Sequence, residues 1–126
     1  MTSNVPSVAL KQNGGNAELK VEDNKEFKVV LEGNPTTGYQ WFMANVDDVK
    51  KTNVIELLNV NERNTCDDYV KDPHEHGMVG VGGSFVFKFK VKNGTGKDLP
   101  KLAFEYKRPW EKNKPPHTKA EITLKL

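Results

Sequence analysis

From Phe85 to Lys92 the sequence alternates without a break: Phe85, Phe87, Phe89 and Val91 fall on one face of an extended chain, and Val86, Lys88, Lys90 and Lys92 on the other. Successive side chains of a strand point to opposite sides of a sheet, so this stretch reads as a strand with one face in a core and the other toward water. The same period places Phe27, Val29 and Leu31 on one face, Leu102, Phe104 and Tyr106 on another, and Ile122, Leu124 and Leu126 on a third. Weaker strand candidates span 7–11, 17–21, 39–45 and 54–61, for a total of about eight strands. Residues 46–53 have room for a helical turn, but Asn, Asp and Lys dominate there and no long stripe at helical spacing appears. Short strands joined by polar or glycine-containing turns point to an all-β, immunoglobulin-like β-sandwich of about seven to eight antiparallel strands. A small closed barrel is the main competitor, because alternation alone does not say how sheets pair.

The 126 residues are about the length of one domain, taken here as residues 1–126. Apolar runs such as Val29 to Leu31 fall far short of the roughly 20 residues a spanning helix needs, so a membrane role is excluded from the reading. Nineteen Lys and Arg face seventeen Asp and Glu, interleaved rather than blocked, and Arg63 and Arg108 stand apart. Nucleic-acid binding wants clustered basic residues with arginine among them, so no nucleic-acid partner is expected. The lone Cys66 cannot close an intramolecular disulfide, which leaves stability to packing. The first ten residues lack a basic start followed by an apolar run, so the chain reads as leaderless and cytoplasmic, or as lysosomal, vesicular or secreted if a leader has been trimmed.

Three connections carry residues that turn-making alone does not explain. The first holds Asn34, Pro35, Thr36, Thr37, Gly38 and Tyr39; the second Gly80, Val81, Gly82 and Gly83, after a long stretch from about Arg63 read as strandless; the third Arg108, Pro109 and Trp110. In an up-and-down antiparallel path, connections separated by an even number of strands share one end. Two strands, 39–45 and 54–61, separate the first connection from the second, and two more, 84–92 and 101–107, separate the second from the third. All three are therefore expected at one end. Turn chemistry explains Asn-Pro, Thr-Gly and the glycines; it does not call for an exposed tryptophan or some twenty residues of connection. Long connections are usually functional or disordered, and Trp and Arg are enriched among binding hot spots.

At these residues the chain resembles the chagasin-type inhibitors of papain-like cysteine proteases, a family marked by an NPTTGY/F loop, a GxGG loop and an RPW/F loop in this order. The resemblance implies an Ig-like sandwich that offers the three loops as a wedge for the protease cleft, without a covalent step and without a cofactor. It implies that Thr36 approaches the catalytic Cys and His, and that Thr37 hydrogen-bonds near the cleft or holds its loop in shape. It further implies that Gly82 and Gly83 let backbone pair with protease backbone on the unprimed side. Trp110 would stack on an aromatic wall, with Arg108 adding a charged hydrogen bond and Pro109 limiting the entropy lost on docking. The implied partners are papain and cathepsin L- or B-like enzymes, bound by a monomer. An Ig-like adhesion or ligand-binding module that uses the same loops is the alternative, and the segment from Asp72 to Met78 matches no family feature.

Other chemistry is less well supported. Cys66, His74, His76 and Met78 bring a blue-copper set to mind, yet no His precedes Cys66, where such sites place one. His74 and His76 with Asp72 or Glu75 suggest zinc less readily than a solvated loop. A catalytic pair of Cys66 with His74 or His117 would need a reactive thiolate, which the adjacent Asp67 and Asp68 disfavour. Gly80 to Gly83 lacks the Lys and helix of a phosphate-binding loop. The chain is accordingly expected to have neither a metal site nor catalytic residues.

Overall fold

In the computed structural model, which describes residues 5–11, 13–33, 38–66, 68–71, 83–92, 98–108, 110 and 118–126, strands dominate. They run β1 (Ser7–Leu10), β2 (Gly15–Lys20), β3 (Glu26–Gly33), β4 (Gln40–Met43), then a helix α1 (Val46–Thr52), then β5 (Ile55–Leu57), β6 (Asp68–Lys71), β7 (Gly83–Val91), β8 (Leu102–Lys107) and β9 (Thr118–Lys125). One sheet has the order β1-β3-β7, with β5 and β6 both on the outer side of β7; the other has the order β2-β9-β8-β4.

The alternating residues decide how the sheets meet. Phe27, Val29 and Leu31 of β3 and Phe85, Phe87, Phe89 and Val91 of β7 are buried, and so are Leu102, Phe104 and Tyr106 of β8 and Ile122 and Leu124 of β9. Phe87 and Phe104 bring rings from opposite sheets to a centroid distance of 4.8 Å. Burying a side chain of this size is worth about 1.5–3 kcal/mol, so the two facing rows make a stiff platform without a crosslink.

Two pairings depart from the antiparallel expectation: β1 runs parallel to β3, and β2 runs parallel to β9. The cause is a change of sheet. After β1 the chain turns through Gly14 and Gly15, at φ +67° and +117°, and enters the other sheet as β2 before returning as β3. A side chain at Gly14 would run into the carbonyl oxygen of Lys119, so this crossing requires glycine.

The described residues form nine strands, because the stretch after Arg63 read as strandless holds β6. β5 pairs with residues 89–91 of β7 and β6 with residues 83–86, and both run antiparallel to it. They behave as one strand interrupted by an excursion, and for that reason counting them once keeps the parity right.

The excursion is itself ordered. Val60 and Cys66 form a bridge, the Asn61 amide donates to Thr65 O at 2.8 Å, and Asn64 takes a left-handed φ of 65°. Its tip closes the free edge of β4: Met43 N donates to Asn64 O at 2.7 Å, and the buried Thr65 hydroxyl donates to Trp41 O at 2.7 Å. An element rooted in one sheet thus caps the edge of the other.

α1 buries Val46 and Val49, carries Asp47 and Asp48 in its first turn and Lys50 and Lys51 in its last, and ends at left-handed Asn53. Those charges complement the helix dipole. Asn45, at the start of α1, uses its side chain elsewhere, donating to Lys101 O at 2.7 Å and accepting from Ala103 N at 3.0 Å, which ties the helix to β8.

Candidate functional site

The strand ends that flank the three connections come together. Gly33, the last residue of β3, pairs with Gly83, the first of β7, and Gln40 at the start of β4 pairs with Lys107 at the end of β8. Gly33 continues the inward row of Phe27, Val29 and Leu31, yet has no side chain to bury. The rings of Phe85 and Tyr106 occupy the space instead, and a Cβ at Gly33 would lie 2.9 Å and 3.0 Å from them. A glycine standing where the alternation calls for an apolar residue is the signal that would have singled out Gly33 from sequence.

Next to this junction a ladder of rings leads outward from the core. Trp41 is fully buried, and its indole N–H donates to Glu32 O at 2.8 Å, crossing from one sheet to the other one residue before Gly33. Tyr106 lies against Trp41 at a centroid distance of 5.0 Å, and Tyr39 stacks on Tyr106 at 5.2 Å. The Arg108 guanidinium sits over the Tyr39 ring at 4.5 Å and faces the Trp110 ring at 6.0 Å. A planar cation between ring faces gains from their quadrupoles and loses little freedom in doing so.

Trp110 ends the ladder with 64% of its surface exposed, yet its ring does not hang free. It rests on Gly38, whose φ is +86°, and a Cβ there would strike the Trp110 ring. Glycine serves two purposes at this position: it accepts the left-handed backbone and leaves room for the indole. Residues from the first and third connections are therefore in direct contact.

Of the residues singled out from sequence, Gly38, Tyr39, Gly83, Arg108 and Trp110 are described. Gly38, Tyr39, Arg108 and Trp110 form one cluster, and Gly83 stands beside Gly33 at its edge. Asn34, Pro35, Thr36, Thr37, Gly80, Val81, Gly82 and Pro109 lie outside the described residues, as do Asp72, His74, Glu75, His76, Met78 and His117. Within the chain the Arg108 guanidinium lies over the Tyr39 ring and faces the Trp110 ring.

Among the described residues no group of three or more His, Cys, Asp or Glu could hold a metal ion. Cys66 is buried, its thiol donates to Asp68 O at 3.2 Å, and burial, more than the neighbouring acid, pushes it up to about 11. At neutral pH that sulfur is a protonated thiol, unsuited to nucleophilic attack.

Residues 20–125 match the family described as chagasin family peptidase inhibitor I42. Amoebiasin-1 of Entamoeba histolytica is 29% identical over 119 residues, which span 94% of this chain and 97% of the relative. Amoebiasin-2 of the same organism is 32% identical over 108 residues, 85% of this chain and 75% of the relative. The crystal structure of the cysteine protease inhibitor EhICP2, also from Entamoeba histolytica, shares the fold with a TM-score of 0.54 at 22% identity, covering 94% of this chain and 96% of that one.

Proposed function

The chain belongs to the chagasin family of peptidase inhibitors, and from that premise we propose that it is a reversible, non-covalent, tight-binding inhibitor of papain-like cysteine proteases. It is an inhibitor, not an enzyme. On this reading it acts as a single domain and as a monomer, and residues 34–39, 80–83 and 108–110 fill the active-site cleft of enzymes such as papain and the L- and B-type cathepsins.

The observation that carries the proposal is the seating of Trp110 on Gly38. A large aromatic ring mostly open to solvent is normally mobile, whereas here it is held by a glycine, an arginine and the ring ladder behind them. Such a ring loses little entropy on docking, and preorganisation of this kind lets a contact of ordinary size, about 1,600 Å² in total, reach high affinity. Trp110 is the anchor, Arg108 and Tyr39 hold it, and the buried Gly83 ties the base of the second loop to Gly33 on one side and Lys71 on the other. Thr36 is the residue assigned to the neighbourhood of the protease's catalytic pair. Inhibition follows from occupation: a cleft filled by a stiff surface is closed to substrate.

Titration of the purified protein into papain, with hydrolysis of a fluorogenic peptide as readout, tests the reading. Activity should fall to zero near one equivalent and return on dilution. An unchanged rate would reject it and favour a binding module that uses the same loop end for another ligand.

A further inference from the structure

The strand that leads to residues 72–82 is broken, and one side chain mends it. β5 ends at Leu57, opposite Phe89, and β6 begins at Asp68, opposite Val86. Across this gap the edge of β7 presents the amide of Lys88 and, where β6 resumes, the carbonyl of Val86. Asn59 supplies both partners. Its Oδ1 accepts from Lys88 N at 2.8 Å and its Nδ2 donates to Val86 O at 2.7 Å. The same Nδ2 also donates to Asp68 Oδ2 at 2.8 Å, at the first residue of β6. One carboxamide stands in for a stretch of main chain and grips the strand that resumes after the excursion.

We propose that Asn59 is a positioning residue of the inhibitor, whose carboxamide fixes where β6 resumes along β7 and so sets Lys71 opposite Gly83, the paired base of the second loop. The proposal rests on the inhibitory reading above and extends it to a residue outside the three motifs. At neutral pH a short side-chain amide offers both a donor and an acceptor at this reach. Without it, the Lys88 amide and the Val86 carbonyl lose these hydrogen bonds, and a one-residue shift of β6 would turn Asp68 and Tyr69 to the opposite faces. Charged neighbours agree with the arrangement: Asp68 pairs with Lys88 at 3.4 Å, Lys28 of β3 adds its field, and the Asn59 hydrogen bond is the foremost cause holding the Asp68 carboxyl below its usual range.

The test is Asn59→Asp, which keeps the shape and the acceptor but removes the donors. At pH 7.5 its carboxylate would face the Val86 carbonyl and the Asp68 carboxylate, with only Lys88 and Lys28 to offset them. The Val86 carbonyl and the Asp68 carboxylate push the new carboxyl upward, against the two lysines, so the penalty is present at high pH and is lifted as pH falls and a donating O–H returns. Inhibition of papain by N59D should be about tenfold weaker than wild type at pH 7.5 and within about threefold at pH 4.5, while Asn59→Ala should stay weak at both.

Amide hydrogen exchange without protease should show faster exchange at Lys88 in N59D at pH 7.5. Thr65→Val, which removes a buried hydrogen bond to β4, controls for general loss of stability. If N59D inhibits like wild type at both pH values, or if T65V weakens inhibition with the same pH profile, the role of Asn59 is overturned. If wild type itself leaves papain untouched, it is the inhibitory reading that falls, and the exchange data alone then judge whether Asn59 holds β6.

Discussion

Trp110 and Gly38 form a pair in which each explains the other. The glycine has no side chain because the indole needs the space, and the indole stays in place because the glycine gives it a floor. Trp110→Ala should weaken inhibition by about 1–3 kcal/mol, the loss of a hot-spot ring, with little change in melting temperature because the ring is largely exposed. Gly38→Ala should weaken inhibition although the added methyl group touches no protease, since it displaces the indole and strains a residue at φ +86°. Inhibition constants measured beside tryptophan fluorescence separate the two effects. An unaltered constant for Gly38→Ala would mean that the seat contributes nothing.

Among the elements, β4 ties the loop end to the core. Its Trp41 reaches β3 through one hydrogen bond to Glu32 O, and its free edge is capped by the excursion between β5 and β6. Trp41→Phe deletes that N–H and takes this donor from the Glu32 carbonyl, which should cost about 0.5–1.5 kcal/mol beyond the loss of packing, read from urea denaturation. A fall in inhibition larger than the fraction unfolded explains would show that the hydrogen bond also steadies the strand end before Asn34.

The strands that form the platform were legible because β3, β7, β8 and β9 each keep an apolar period of two over at least three inward positions. β6 was not legible: it has four residues, begins with Asp and ends with Lys, and is a strand only because the edge of β7 is open to it. α1 was legible only as room for a helical turn, since its buried stripe consists of Val46 and Val49 alone. The three motifs were readable as motifs. The placement of Arg108 between Tyr39 and Trp110 was not, because ring-to-cation contact depends on distances that spacing in a chain does not encode.

Across the whole molecule, stability comes from two apolar faces, and Cys66 reports on their closure. With its thiol raised from 9.0 to about 11 by burial, the folded state disfavours the thiolate. This group therefore costs no stability below pH 9.0, and its contribution is lost as pH climbs from 9.0 toward about 11, where the unfolded chain ionises first. Iodoacetamide at pH 7.5 should leave the native protein unmodified for hours, and mass spectrometry should detect adduct only in proportion to unfolding. Rapid labelling of the native state would contradict the burial.

That sealed sulfur has a further consequence. A protein proposed to meet enzymes armed with a nucleophilic thiolate carries one sulfhydryl of its own, out of reach of exchange, and its shape needs no oxidation to form. Glutathione at any ratio of reduced to oxidised form should leave its melting curve in place, so it can hold the same conformation on either side of a redox boundary.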